Sequence, residues 1–268
     1  MIIIKMIIRY SNLTSFTNYT PFCFYCTKRL NVLYACTEDI EKNGQIFAFS
    51  IDSDGGLQEI GHVDAGGTST CYLTIDRDEK NLLAVNYWDS TLVTIPLSTE
   101  TGEFIGGVKS KYDPKYGKGI VAATKSSGGV NHSNNDDLTI KQRQADPHSH
   151  ALVLDPYFGC IAYVPCLGKD LIREFYYNVV DGSIEIEMNN LPSGLCTGHP
   201  DGPRYLCFHP RLPIVYVVNE LSSTVSLFNK PKQSQHITHN AMKPRNLITL
   251  FFVNLSIGCC FLCQHGTH

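Results

Sequence analysis

The amino-acid sequence predicts an all-β protein, a β-propeller of four-stranded antiparallel blades, and three observations lead to this prediction. Segments that begin at Ser69, His148 and Gly202 share one order of strands and turns. Apolar residues in these segments alternate with a period of two, and the apolar spacing of a helix is absent. Turn signals such as Asp54 to Gly56 close the units. Short antiparallel units repeated in this way are typical of blades arranged around a channel.

The strands of each copy can be placed in order. An alternating apolar strand ends at a turn residue, which is Asp76, Asp155 or His209 in the three copies. A second strand rich in Val, Leu, Ile and Tyr follows, and a third strand comes after a polar turn. Because His209 precedes Pro210 at the place where the other copies have Asp, we interpret it as a turn residue.

The repeat also predicts the domain organisation. A first copy starts in mid-unit, so the partial propeller is predicted to occupy residues 31–230 and to hold about four blades. Residues 1–30 are predicted to be an N-terminal segment outside the repeat. Residues 106–145 contain a Gly-, Ser- and Asn-rich stretch and few strands, which predicts a long insertion. Residues 231–268 lack the blade pattern and are predicted to be a non-propeller tail.

Composition and charge restrict the partners. The chain of 268 residues is 43% hydrophobic and 18% charged, which allows a substantial core. Its net charge of −3, without a basic run, argues against nucleic acid. The apolar run 247–263 has borderline transmembrane length, but Asn254, Ser256 and Gly258 interrupt it. We therefore expect neither nucleic acid nor a membrane as a partner.

The eleven cysteines are scattered along the chain, with clusters only near its ends, which is typical of a reducing compartment. A cytoplasmic location is therefore predicted. Cys23 and Cys26 have the spacing of metal ligands, but no second CxxC or HxxxH pair lies nearby to complete a tetrahedral zinc site. The sequence therefore predicts no metal site.

Comparison of the copies singles out candidate functional residues, because a residue that differs from its counterparts is not dictated by blade architecture alone. Five positions before the turn residue, the copies carry Cys71, His150 and Arg204. Eleven positions after it they carry Tyr87, Cys166 and Glu220, with Glu38 in the first copy. Equivalent positions of a propeller share a height and a radius, so His150, Arg204 and Glu220 are expected to converge. They would supply a base, an anion-binding group and an orienting carboxylate.

Each of these assignments has a structural alternative. A His or Arg at a strand start can satisfy a neighbouring carbonyl group, and Glu220 can pair with Arg204 as a structural bridge. Four further polar residues, which lie at or beside the same places in the repeat, are predicted to bind substrate: His148, Asn219, Asn86 and Glu38.

Four strings carry a resemblance to a known family: PHSHALVLDP (Pro147 to Pro156), GPRYLCFHP (Gly202 to Pro210), YVVNELSSTVSLF (Tyr216 to Phe228) and LLAVNYWDSTLVTIPL (Leu82 to Leu97). In order and spacing they resemble the seven-bladed propeller lactonases, which include bacterial-type 6-phosphogluconolactonases and the fungal carboxymuconate lactonising enzyme. The resemblance covers roughly residues 31–230. It implies a cytosolic enzyme that acts on a lactone ring without a metal or an organic cofactor.

The resemblance also implies catalytic residues. The motifs of the lactonising branch map onto His150, Arg204 and Glu220, the residues that the repeat comparison selects. A further Arg that the family carries in a later blade has no counterpart in this sequence.

These observations lead to one expected function and two alternatives. We expect hydrolysis of 6-phosphoglucono-1,5-lactone, a sugar lactone of the pentose phosphate pathway. His150 would activate water, Glu220 would orient the imidazole or raise its basicity, and Arg204 would bind the phosphate or the oxyanion. One alternative is a muconate-type lactonising enzyme, in which Arg204 binds a substrate carboxylate. The other is a non-catalytic propeller that binds a protein or a sugar.

The blade count bears on whether this chain is active. With about four of seven blades the ring would be incomplete, and an open arc would expose two apolar inter-blade faces. We therefore expect a truncated chain that folds poorly or needs a partner, and that can lack activity. The sequence makes no prediction of the oligomeric state.

Overall fold

The structure is a computed structural model that describes residues 21–27, 29–114, 140–193, 200–229 and 249–251. Within these ranges the chain forms sixteen β-strands in four antiparallel sheets of four strands each. Helical structure in the described ranges is limited to residues 140–143 and a 3₁₀ turn at Leu167–Lys169. The prediction of an all-β fold built from four-stranded blades is confirmed.

The chain divides into two compact units, residues 1–111 with 180–183, and residues 112–179 with 184–268. The sheets of the first unit contain β1 (Pro21–Cys26), β2 (Val32–Thr37), β3 (Asn43–Ile51) and β4 (Leu57–Thr68), then β5 (Thr70–Ile75), β6 (Asn81–Asn86), β7 (Leu92–Pro96) and β8 (Ser110–Tyr112). Tyr112, which ends β8, is the first residue of the second unit.

The second unit contains two further sheets. They are formed by β9 (Val153–Leu154), β10 (Ile161–Cys166), β11 (Leu171–Tyr177) and β12 (Ile184–Pro192), then β13 (Pro203–Phe208), β14 (Ile214–Asn219), β15 (Thr224–Asn229) and β16 (Thr249–Phe251). In every sheet the hydrogen-bonded strands follow one another in chain order, as the up-and-down connections of a blade require.

The second strand of a blade explains the densest apolar strings in the sequence. All six residues of β2, β6 and β10 are buried, on both faces of the sheet. Because neither face meets water, these strands need no polar positions, and VLYACT and IAYVPC read as nearly continuous apolar runs. In the second unit, Tyr163 of β10 packs in one cluster with Leu206 of β13 and Phe228 of β15. This core holds in place the strands that carry the candidate site.

The turns between the first two strands confirm the interpretation of His209. Its Nδ1 accepts hydrogen bonds from the backbone N–H groups of Arg211 (3.0 Å) and Leu212 (2.9 Å). Asp155 Oδ1 accepts two turn amides in the same manner, at 3.0 and 2.9 Å. His209 therefore performs the turn chemistry that Asp performs in the other copies.

The structure extends the repeat at both ends. Pro21–Cys26, placed by the sequence in an outside segment of residues 1–30, pairs with β2 as the first strand of the first sheet. Thr249–Phe251, placed in the predicted tail 231–268, pairs with β15 as the fourth strand of the last sheet. Residues 1–20 and 28 of the first predicted segment lie outside the described residues, as do residues 231–248 and 252–268 of the second, which include the rest of the apolar run 247–263.

The predicted insertion 106–145 contains more regular structure than expected. Ser110–Tyr112 forms β8, the fourth strand of the second sheet, and residues 140–143 are helical. Residues 115–139 lie outside the described ranges. No helix among the described residues is long and apolar enough to cross a membrane.

Candidate active site

A β-bulge presents Arg204. In the pairing of β13 with β14, Pro203 lies opposite Asn219 and Tyr205 lies opposite Val218, so Arg204 is the extra residue. The same irregularity occurs between Thr70 and Tyr72 in the pairing of β5 with β6. A bulge redirects the side chain that it carries. The repeat comparison therefore selected a position at which the strand departs from regular hydrogen-bonded pairing with its neighbour.

Glu220 follows β14 directly and forms an ion pair with Arg204 Nη1 through its Oε2. Arg204 lies on β13, the strand that pairs with β14, and the side chains of Arg204 and Glu220 are 26% and 28% exposed. Burial raises the pKa of Glu220, but the charges and hydrogen bonds of Arg204 and Arg143 outweigh burial and lower it. Glu220 is therefore a carboxylate over the physiological pH range.

Arg143 is a third charged residue of the site, and the sequence reasoning missed it. Its Nη2 donates to Oε1 of Glu220 at 2.7 Å. Both carboxylate oxygens of Glu220 thus accept hydrogen bonds from guanidinium groups. The two guanidiniums of Arg143 and Arg204 therefore share the carboxylate of Glu220. An anion is the ligand that such a partly exposed cluster attracts.

The segment that follows Arg143 is fixed by hydrogen bonds. Gln144 Nε2 donates to the carbonyl oxygen of Leu167 (3.0 Å) and to Asp170 Oδ1 (2.9 Å). The same Asp170 oxygen accepts the backbone N–H of Gly202 at 2.7 Å, immediately before β13. The carboxylate of Asp170 therefore links the residue after Arg143 to the backbone two residues before Arg204.

His150 lies beside this cluster and is buried, with 4% exposure. Its backbone N–H donates to the carbonyl oxygen of Pro165 at 3.0 Å, and its ring lies 5.8 Å from that of Tyr205. Burial, and then the positive charge of Arg204, lower the pKa of His150 to about 3. The imidazole is therefore neutral at physiological pH, with its lone pair available to a proton, and its low pKa makes it a weaker base than an ordinary histidine.

The buried imidazole makes stability depend on pH. In the unfolded chain a histidine titrates near pH 6.5, roughly, whereas in the fold the pKa of His150 is about 3. As pH falls below the unfolded pKa, the unfolded chain binds a proton that the fold does not, so the free energy of unfolding decreases. At pH 5 the titration of His150 lowers the free energy of unfolding by about 2 kcal/mol relative to pH 8.

His150→Gln is therefore expected to reduce the difference in unfolding free energy between pH 8 and pH 5 by about 2 kcal/mol. Urea denaturation at the two pH values measures it. His62→Gln, at a histidine whose side chain is 58% exposed, is the control and should retain the difference seen in the parent. An equal pH dependence in the parent and the His150 variant would contradict the prediction.

The two asparagines predicted to bind substrate make the same hydrogen bond within their blades. Asn86 is fully buried, and its Nδ2 donates to Thr91 Oγ1 at 2.9 Å. Asn219 is 1% exposed, and its Nδ2 donates to Thr224 Oγ1 at 3.1 Å. Each amide thus binds the residue five positions later and ties the second strand to the next one. The geometry favours a structural role for both.

The other two predicted substrate-binding residues lie in different surroundings. Glu38 is exposed and belongs to the first unit, where its Oε1 accepts a hydrogen bond from Ser69 Oγ at 2.8 Å. His148 is 3% exposed, and its carbonyl oxygen accepts the backbone N–H of Leu167 at 2.8 Å. Of the predicted residues, the second unit brings together His150, Arg204 and Glu220. In the described ranges no three His, Cys, Asp or Glu side chains are grouped as a metal site.

Four four-stranded sheets in chain order define the class of this molecule as a β-propeller protein. The chain belongs to the lactonase family of seven-bladed β-propellers, because that family matches residues 10–244. This match extends beyond residues 31–230 at both ends, as the strands β1 and β16 also do.

Individual relatives are distant. The chain is 24% identical over 204 residues to a 6-phosphogluconolactonase of Bacillus subtilis, covering 75% of this chain and 49% of that protein. It is 28% identical over 201 residues to a 6-phosphogluconolactonase of Formosa agariphila, covering 73% and 49%. The fold resembles that of the periplasmic gluconolactonase of Pseudomonas aeruginosa, with a TM-score of 0.60, 19% identity and coverage of 81% and 55%. The chain spans about half the length of the curated relatives it matches.

Proposed function

We propose that this chain carries the catalytic site of a lactonase that hydrolyses 6-phosphoglucono-1,5-lactone to 6-phosphogluconate. The observation that carries the proposal is the neutral buried imidazole of His150 beside two guanidiniums, those of Arg204 and Arg143, which share the carboxylate of Glu220. Family membership and the names of the two curated relatives support a lactone as the substrate class. Guanidiniums are typical binding groups for phosphate and carboxylate, which supports an anionic lactone.

In this mechanism His150 accepts a proton from water as the oxygen of that water attacks the lactone carbonyl carbon. The bond between that carbon and the ring oxygen then breaks, and the proton returns to the ring oxygen, which becomes a hydroxyl group. Arg204 stabilises negative charge on the substrate, on either the phosphate or the developing oxyanion. Because both oxygens of Glu220 bind guanidiniums, we assign Glu220 to orienting the arginines, and not the imidazole that the sequence suggested.

The direct test is hydrolysis of 6-phosphoglucono-1,5-lactone by the purified full chain, measured as acid release above the spontaneous rate. Arg204→Ala is expected to lower kcat/KM about 100-fold, because loss of one charge-stabilising donor has an effect of this order. Arg211→Ala removes an exposed arginine of the same unit and should leave the rate unchanged. Equal rates for the parent and Arg204→Ala would remove Arg204 from the site.

The same assay separates the alternatives. Turnover of a muconate-type dicarboxylate in place of the sugar lactone would favour the lactonising reaction, and turnover of neither substrate would favour a binding protein. A place in the pentose phosphate pathway and a cytoplasmic location remain part of the proposal. The described cysteines are all thiols, which fits a reducing compartment, and subcellular fractionation tests the location.

A further inference from the structure

The ring of Tyr205 contacts both His150 and Arg204. Its centre lies 5.8 Å from the centre of the His150 imidazole, with the two ring planes tilted by 57°. The guanidinium carbon of Arg204 lies 5.3 Å from the centre of the same ring. Both distances are within the range of attractive contacts between aromatic rings and between a cation and a ring. One side chain therefore joins the proposed base to the proposed anion-binding group.

The β-bulge of β13 explains how Tyr205 contacts the residue directly before it. In a regular strand successive side chains point to opposite faces of the sheet, which keeps adjacent side chains apart. Arg204 is the extra residue of the bulge, and Tyr205 returns to regular pairing opposite Val218. Because a bulge bends the strand and redirects the side chain that it carries, the guanidinium can lie against the ring. The contact thus follows from backbone geometry that the blade fixes.

Blade architecture alone does not require a tyrosine at this place. The equivalent residue is Tyr72 in β5 and Ala151 shortly before β9. Tyr72 also follows a bulge, but the bulged residue there is Cys71, which has a thiol in place of a guanidinium. Tyr72 is therefore a matched comparison for Tyr205, because it shares the backbone setting without the neighbouring arginine.

Both partners of the Tyr205 ring are also held by other contacts. Arg204 pairs with Glu220, and His150 is buried, with its backbone N–H bonded to the carbonyl oxygen of Pro165. Burial lowers the pKa of Arg204, but Glu220 and then Tyr205 outweigh burial and raise it. Tyr205 therefore supports the charged form of the guanidinium. A tyrosine ring, with two side-chain torsions, makes such contacts at a low cost in conformational entropy.

We propose that Tyr205 is a positioning residue whose ring fixes the separation of the His150 imidazole and the Arg204 guanidinium. The imidazole then reaches the attacking water while the guanidinium reaches the negative charge on the substrate. This inference rests on the proposed lactonase function for the reaction that the two groups perform. Misplacement of a reacting group by about 1 Å can lower a rate about 100-fold. Tyr205 itself supplies neither a proton nor a charge to the ring-opening step.

The kinetic test compares Tyr205→Leu, Tyr205→Phe and the matched control Tyr72→Leu in the full chain, with 6-phosphoglucono-1,5-lactone. Tyr205→Leu removes the ring and is expected to lower kcat about 10- to 100-fold, with a smaller change in KM, because the residue aligns reacting groups. Tyr205→Phe keeps the ring and should retain at least about a third of the parental kcat. Tyr72→Leu should leave kcat unchanged. A parental kcat in Tyr205→Leu, or equal losses in the two Tyr205 variants, would overturn the proposal.

An NMR titration of the histidines separates this inference from the proposed function. The signal of His150 is identified by its absence in His150→Gln, and the charged groups around it, those of Arg204, Glu220 and Arg143, are kept in both Tyr205 variants. Because burial is the largest cause of the low pKa of His150, removal of the ring in Tyr205→Leu is expected to raise that pKa toward the ordinary value of a histidine. Tyr205→Phe and the matched control should keep the parental pKa.

The two measurements together decide the outcome. If Tyr205→Leu raises the pKa of His150 but the parent hydrolyses no lactone, the lactonase function fails and the positioning of His150 by Tyr205 stands. If Tyr205→Leu leaves the pKa of His150 unchanged, the inference fails, whatever the kinetics show.

Discussion

Replacement of His150 by glutamine is expected to lower kcat/KM for lactone hydrolysis by about 1,000-fold, because general base catalysis contributes about 100- to 10,000-fold. Glutamine keeps a polar side chain of similar length but cannot accept a proton from water at neutral pH. The buried position of His150 beside Arg204 means that no bulk solvent base can replace it easily. Steady-state rates with 6-phosphoglucono-1,5-lactone, corrected for spontaneous hydrolysis, measure the effect.

A second histidine of the same unit supplies the control. His209→Asp restores the residue type that caps the equivalent turn at Asp155, so it should fold normally and keep the parental rate. Circular dichroism of both variants shows whether the β structure is intact. If His150→Gln retains more than a tenth of the parental kcat/KM, His150 is not the general base of the reaction.

The repeat in the sequence was sufficient to predict the architecture, and the three residues that it selected as a candidate site lie near one another in the second unit. The comparison could select Arg204 because the bulged position recurs, and Glu220 because it follows the second strand in the same register. The ends of the repeat were harder to predict. Pro21–Cys26 precedes a connection without the Asp turn of the later copies, and Thr249–Phe251 is only three residues long.

Arg143 and the asparagines show where comparison within one chain reaches its limit. Arg143 lies in the segment before the third copy and has no counterpart in the other copies, so a repeat comparison could not select it. Asn86 and Asn219 occupy the same place in two copies, and each binds a threonine five residues later. Residue types that recur follow from the architecture, whereas types that differ are the better candidates for function. The same rule that selected His150 therefore argues against both asparagines.

The largest expected effect on stability comes from a pair outside the candidate site. Arg173 of β11 and Glu187 of β12 form a buried ion pair at 2.8 Å, with side chains only 7% and 3% exposed. A second bond joins Arg173 Nε to the other oxygen of Glu187 at 2.9 Å, which makes the pair bidentate. Tyr112 donates to Glu187 at 2.9 Å and accepts from Arg173 at 2.8 Å. Burial raises the pKa of Glu187, but Arg173 and Tyr112 outweigh burial and lower it.

Arg173→Met is expected to lower the free energy of unfolding by about 3–5 kcal/mol, because it leaves the carboxylate of Glu187 buried without its cation. Urea denaturation at pH 7 measures this change. Glu59→Gln breaks a pair with His62 whose side chains are 40% and 58% exposed, and it should change stability by less than about 0.5 kcal/mol.

The double variant Arg173→Met with Glu187→Leu tests whether the loss of stability in Arg173→Met is caused by a buried, unpaired charge. Because it removes both charges and keeps apolar volume, it should recover most of the stability that Arg173→Met loses. Phe175, whose ring lies 5.0 Å from the Arg173 guanidinium carbon, would then pack against an aliphatic chain of similar length. If the double variant is as unstable as the single one, the loss arises from packing, and the ion pair itself contributes little to the fold of the second unit.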